Sequence, residues 1–432
     1  MLRRGPHAAK QVGMTMIADI VRPLALTARL LARFWPQLLL AGTFGYIARD
    51  LLLEGAVAVG LRHPLGGMVV LSLVVLVELL VVVTMFAALR PGLPALASLR
   101  QDAAGAGAPA PRTQDAERML TVTAAVILPF FAYYAAWGFL GDTVREYSRL
   151  ALARVPFGER LQIFELLQSR GLVAAILACL AVRWLAKRMS GRSHAPWWRL
   201  LIVAADASWI FISLYALDRW KNDFIAWIGA GSLLEELGMG APALSMAAHA
   251  AEGFVPVEFR QPGLIEQAQN LFFYALLPMV WLVIAAIING YDFSAAPASA
   301  PAAPSRATTW RRWLGDFMAH FVGGYRTRYR PVWTCLKLTL SAGLGTLVTF
   351  IVAYRALSWL GAWLWYGATR TLGAYDLDTW QAIAGVMDIF IGSPSDLDGG
   401  ILLDAARIAL LAAVLEHAVS TQRSARPQTA AI

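Results

Sequence analysis

The stretch GMVVLSLVVLVELLVVVTMFAAL, residues 67–89, decides the fold class. Its single charged side chain, Glu78, stands near the midpoint, and every face of a helix built from it is apolar. At about 1.5 Å per residue such a helix crosses the roughly 30 Å hydrocarbon core of a bilayer. The stretch therefore reads as a transmembrane helix.

The rest of the chain agrees with this reading. Hydrophobic residues make up 58% of the 432 residues and charged residues 15%, with a mean hydropathy of +0.56. Soluble domains carry about 25% charge, so lipid is the expected solvent. Eight apolar stretches approach spanning length: about 36–60, 67–89, 119–140, 171–187, 199–217, 269–290, 332–354 and 401–417. The expected fold is an all-α polytopic integral membrane protein, with about eight transmembrane helices arranged as helical hairpins, interfacial amphipathic helices and helical outer loops.

The net charge of +9 does not gather on one soluble module, as a nucleic-acid reader requires, so no nucleic acid is expected as a partner. With the amino terminus inside, the segments holding Arg22, Arg90, Arg188, Arg311 and Arg423 are all inner, and inner basic residues outnumber outer ones about two to one. Both termini are thus expected on the cytoplasmic side of a cytoplasmic (inner or plasma) membrane. Cys179 and Cys335 fall in separate apolar spans and read as packing residues. No small-residue cleavage site precedes Arg49, so the first span is expected to stay as an anchor.

Composition divides the chain further. Residues 1–35 form a basic amphipathic segment, cytoplasmic or interfacial, and 36–293 hold about six spans. An Ala/Pro/Ser-rich cytoplasmic linker covers 294–309, a basic-aromatic interfacial helix 310–330, and two further spans with an aromatic, acidic outer loop 331–418, ahead of a cytoplasmic tail, 419–432. Arginines mixed with Trp, Phe and Leu in 14–35 and 310–333 suit the inner leaflet, where anionic lipid headgroups are the expected partner. Arg49, Arg145, Arg219 and Arg355 each follow an apolar run and mark the outer tips of four hairpins.

An ionisable residue deep in a span must face a partner or a wet cavity. That selects Glu78 first and Asp206 second; Asp206, nearer the inner end, reaches water more easily. FGYIARDLLLEGAVAVG, residues 44–60, adds Arg49, Asp50 and Glu54. If the first helix continues to Gly60, these residues join Glu78 and Asp206 in an intramembrane polar cluster in which Arg49 is the counter-charge for Glu78. If it ends near Ala48, they lie at the headgroups. Asp404 and Arg407 are spaced for a local pair, Lys337 snorkels, and Glu416 and His417 sit at the inner boundary, where water would solvate them.

Motifs that carry chemistry are absent from the sequence. There is no phosphate loop, no GxGxxG after a strand, no HExxH or paired-cysteine spacing and no GxSxG elbow; no cofactor and no metal are expected. The weak outer-face acidic motif Asp376, Asp378, Asp396 and Asp398 has hard oxygen ligands at alternating positions, although Asp beside Ser, Pro and Gly more often makes a turn or a helix cap. The leading expectation is a non-enzymatic scaffold or accessory component of envelope or lipid handling, working with another membrane protein or as a homo-oligomer. A proton- or ion-coupled secondary transporter using the intramembrane carboxylates is the alternative, and a membrane-embedded lipid-linked glycosyltransferase using the acidic motif is a third reading.

Overall fold

A computed structural model describes residues 6–98, 139–154, 169–191, 197–229, 263–289, 344–392 apart from 374, and 400–425, with isolated helical residues between 123 and 131. Among the described residues there is no strand. In chain order the long helices are α1 (Pro6–Gly60), α2 (Pro64–Leu89), α3 (Phe139–Arg154), α4 (Ser169–Ser190), α5 (Trp197–Gly229), α6 (Leu264–Ile288), α7 (Leu344–Leu372), α8 (Leu377–Ile391) and α9 (Ile401–Ala425).

α1 passes through Pro23 and Pro36 without ending. Proline removes one backbone donor and crowds the preceding turn, and Thr27 donates its hydroxyl to the Pro23 carbonyl at 2.8 Å. The buried positions of α1, among them Leu30, Phe34, Leu38, Gly45 and Leu53, recur at helical spacing past Arg49. Leu40, Phe44, Ile47 and Leu51 form an opposite stripe, each more than half exposed. An outward stripe of this kind is what lipid covers in a membrane protein, and the same holds for Val173, Leu177, Trp184 and Leu185 on α4.

The turn Leu61–His63 joins α1 to α2. Pro64 opens α2, where its missing donor costs nothing, and the Gly66 amide donates to Nδ1 of His63 at 3.2 Å. A Cβ on Gly67 would stand 2.6 Å from the Gly60 Cα and 2.8 Å from the Tyr147 hydroxyl. Only glycine at both positions lets the hairpin close around that ring.

The chain divides into two compact units. Unit 1 comprises Met1–Ala48, Val77–Val126 and Ala275–Ile432. At its centre α9 is buried on all sides over 408–419, with Ala409, Ala412, Ala413 and Ala418 allowing close approach. Gly42 faces Ile401 and Met85, and Gly45 faces Val81. Unit 2 comprises Arg49–Leu76 and Ile127–Tyr274. Its core holds Leu53, Val57, Leu71, Val75, Ile210 and Phe211, with Phe131 edge-on to Phe211 at 6.2 Å.

Three helices among the described residues are long and apolar enough to cross a membrane: Pro64–Gly92, Trp197–Ala216 and Gly345–Leu372. Tyr274–Ile288 is a shorter apolar helix. Three of the other expected spans carry more charge: Arg49, Asp50 and Glu54 on α1, Arg183, Lys187 and Arg188 on α4, and Asp404, Arg407 and Glu416 on α9. Two expected boundaries move. Residues 355–372, expected as outer loop, continue α7, and the helix of the fifth span runs on to Gly229. The linker 294–309, the segment 310–330 and most of 119–140 lie outside the described residues.

Candidate functional site: polar pairs on the apolar helices

The helix of the opening alternatives is continuous to Gly60, so Arg49, Asp50 and Glu54 are helical residues. In unit 2, Arg49 forks onto Glu146 of α3: Nη1 donates to Oε1 at 3.4 Å, and Nη2 is closer to Oε2. Glu54 stands 3.6 Å from Arg154 at the end of α3. About half of each side chain in this second pair is exposed (56% and 42%), and exposed pairs contribute about 1 kcal/mol or less. Asp50 is exposed. The two ion pairs join α1 to α3, an amphipathic helix whose Thr143, Tyr147 and Ala151 face inward at a spacing of four.

Asp206 has protein partners. It lies on α5 against Arg183 of α4, and Nε1 of Trp209 donates to its Oδ1 at 2.9 Å. Ala175, Cys179, Arg183 and Ala186 recur at helical spacing on α4, with Ala175 and Ala186 buried, so the cation belongs to the stripe turned inward. The Asp206 carboxylate neutralises it there, with 43% of the Arg183 side chain still exposed. Ser72 of α2 and Ser208 of α5, both buried, share a hydrogen bond at 2.8 Å.

In unit 1, Glu78 is half-buried on α2. Arg407 of α9 donates to Asp404 at 3.1 Å, as the spacing of three predicts, and to the Ser358 hydroxyl of α7 at 3.3 Å. The guanidinium also lies 5.8 Å from the centre of the Tyr354 ring. Glu416 corrects the expectation of a solvated boundary residue. It is 6% exposed, and its carboxylate accepts the amides of Ala95 at 2.6 Å and Leu96 at 3.0 Å. These amides belong to the first turn of the helix that starts at residue 94, whose first backbone donors have no partner within the helix, so α9 caps it. Arg423 reaches the Ser98 hydroxyl beside them. His417 is buried too.

Of the acidic motif, Asp376 is the N-cap of α8: it accepts from the Thr379 hydroxyl at 2.6 Å and the Thr379 amide at 3.3 Å. These hydrogen bonds hold its carboxyl below the usual carboxylate range. Asp378 follows in the first turn, where the helix dipole favours negative charge. Asp396 and Asp398 lie outside the described residues. Among the described residues no three His, Cys, Asp or Glu side chains converge on a point that could hold a metal ion.

The structure thus brings Arg49 and Glu54 onto α3 and Asp206 onto α4, and Glu78 belongs to the other unit. Sequence reasoning missed Glu146, Arg154, the role of Arg183, and the serine pair. The four-residue spacing of Thr143, Tyr147 and Ala151 was the available signal for α3; nothing local marks Arg183 as a partner of Asp206. No protein-family model, curated protein or solved structure matches the chain.

Proposed function

We propose that the chain is a multi-pass protein of the cytoplasmic membrane, with about eight spans and both termini inside, that acts as a non-enzymatic scaffold or accessory component of envelope or lipid handling. The observation that carries this reading is how the charges on the apolar helices are used. Arg49 with Glu146, Arg183 with Asp206 and Arg407 with Asp404 are turned onto protein partners, and Glu416 onto backbone amides. Charges satisfied in this way hold helices together at membrane depth and leave little for chemistry on a solute. The outward stripes on α1 and α4 and the basic amino-terminal part of α1, where Arg22, Arg29 and Arg33 are exposed beside Ile20, Val21 and Leu24, suit contact with lipid, anionic on the inner leaflet.

Purification of the full-length protein in mild detergent tests the reading. A fixed membrane-protein partner, or a defined homo-oligomer, retained at constant stoichiometry is the expected result. The transporter alternative draws on one observation, Glu78 near the middle of the most apolar helix. Proton-coupled solute uptake by the purified protein in liposomes, lost in Glu78→Gln at normal abundance, would replace the scaffold reading with it. The glycosyltransferase reading has less support, since Asp376 is engaged as a helix cap.

A further inference from the structure

α7 carries an exposed ladder along one side. Trp359, Trp363, Tyr366 and Arg370 follow at spacings of four, three and four, the rhythm of a single helix face. The Trp359 and Trp363 ring centres are 5.5 Å apart, those of Trp363 and Tyr366 also 5.5 Å, and the Arg370 guanidinium is 5.9 Å from the Tyr366 ring. Nη1 of Arg370 donates to the Tyr366 hydroxyl at 2.7 Å. All three rings are more than half exposed. Aromatic rings this size are normally buried, and here they meet in the open, the two indoles tilted at 56° and Tyr366 edge-on to Trp363 at 79°.

Two properties select the occupant. The first is charge: among the described residues Arg370 meets no carboxylate, and Asp376, six positions along the chain, is occupied as the α8 cap. A guanidinium tethered by one hydrogen bond to Tyr366 matches a phosphate, which its remaining donors can meet with two parallel hydrogen bonds. The second is length. From Trp359 to Arg370 the ladder rises about 16 Å at 1.5 Å per residue, close to one leaflet's share of a roughly 30 Å hydrocarbon core. Arg370 lies in the last turn of α7, and the rings descend from it toward the middle of the helix. On the α4 helix Arg188 also sits over a tryptophan, Trp184, at 5.5 Å, but that is a lone pair with no ladder beneath it.

We propose that this face of α7 is a binding site for one anionic phospholipid of the bilayer, its phosphate on Arg370 and an acyl chain along Tyr366, Trp363 and Trp359. The site rests on the membrane-spanning reading and adds to it: with both termini inside, Arg370 closes α7 at its outer end, so this contact lies in the outer leaflet and is separate from the inner-leaflet contact of α1. Tyr366 positions the guanidinium and fills the level between phosphate and chain, where an amphipathic ring is favoured.

The test uses the full-length protein in phosphatidylcholine vesicles containing a minor fraction of either brominated phosphatidylglycerol or brominated phosphatidylcholine. The emission difference between the wild type and Trp359→Phe/Trp363→Phe isolates the ladder's own fluorescence. That emission should be half-quenched by brominated phosphatidylglycerol at about one-fifth the mole fraction needed for brominated phosphatidylcholine, the ratio expected for one basic residue near an anionic headgroup. Arg370→Gln should bring the two lipids to parity, and Arg370→Lys should keep most of the preference. Equal quenching by both lipids in the wild type, or a preference unchanged in Arg370→Gln, overturns the site. So does quenching by neither lipid, which would mean that protein covers the face. Extraction at alkaline pH separates this failure from a wider one: release of the protein from membranes defeats the membrane-spanning reading itself, whereas retention with parity defeats only the lipid site.

Discussion

Arg183 and Asp206 show how a charge survives on an apolar helix. Each lies on the face its helix turns inward, and each neutralises the other. Asp206→Leu leaves the arginine without its counter-charge and should destabilise the protein by about 1 to 3 kcal/mol, less than for a fully buried pair because 43% of the Arg183 side chain is exposed, read as a lower detergent or thermal midpoint. Asp206→Leu combined with Arg183→Leu should recover most of that loss, because a matched apolar pair carries no desolvation penalty; additive losses would show that the two do not act together. Glu416 makes a parallel case with backbone donors. Glu416→Ala removes the acceptor for the Ala95 and Leu96 amides and should cost about 1 to 3 kcal/mol, while Glu416→Gln, which keeps one acceptor oxygen, should lose less. Equal midpoints for the two variants would remove the capping role. A sequence displays these charges but not their partners: Asp206 and Arg183 are 23 positions apart, and only the packing of two helices decides that they meet.

At the scale of the element, much was legible. The apolar run of α2 announced its helix; the cap expectation drew on the Ser, Pro and Gly around Asp396 and Asp398, outside the described residues, and the cap that is described is Asp376, whose side chain satisfies an amide that the first turn of α8 cannot. Since its hydrogen bonds depress its folded pKa, the cap's contribution is present above the ordinary aspartate range and is lost as pH falls through the lowered value. Hydrogen exchange at the Thr379 amide should accelerate, relative to mid-α8, in Asp376→Ala at neutral pH, and a profile unchanged from wild type would deny the cap. Other features were hidden. α3 has too little hydropathy to stand out, and α7 extends well past the end of its expected span because hydropathy averages over the Trp, Tyr and Arg that close it. Glycine placement was equally opaque. A Cβ on Gly45 would lie 2.2 Å from Cγ2 of Val81, a branched side chain with little freedom to move. Gly45→Ala should therefore destabilise by about 1 to 3 kcal/mol, and Gly45→Ala with Val81→Ala should restore part of it. Gly55, with open space around its Cβ position, is the control that should tolerate alanine.

At the scale of the molecule, the account stands on the chain crossing the membrane repeatedly with both ends inside. Length and apolarity support three crossings among the described helices, and the arginine asymmetry supplies the direction of the rest. The most direct measurement is labelling of single cysteines in intact cells with a membrane-impermeant maleimide, in a background where Cys179 and Cys335 are serine. Cysteines at Ala106 and Ala302 should be protected until the cells are permeabilised, and one at Gly240 should react from outside. Labelling of positions 106 and 302 in intact cells, or protection of 240, would contradict the topology and with it the proposed membrane scaffold.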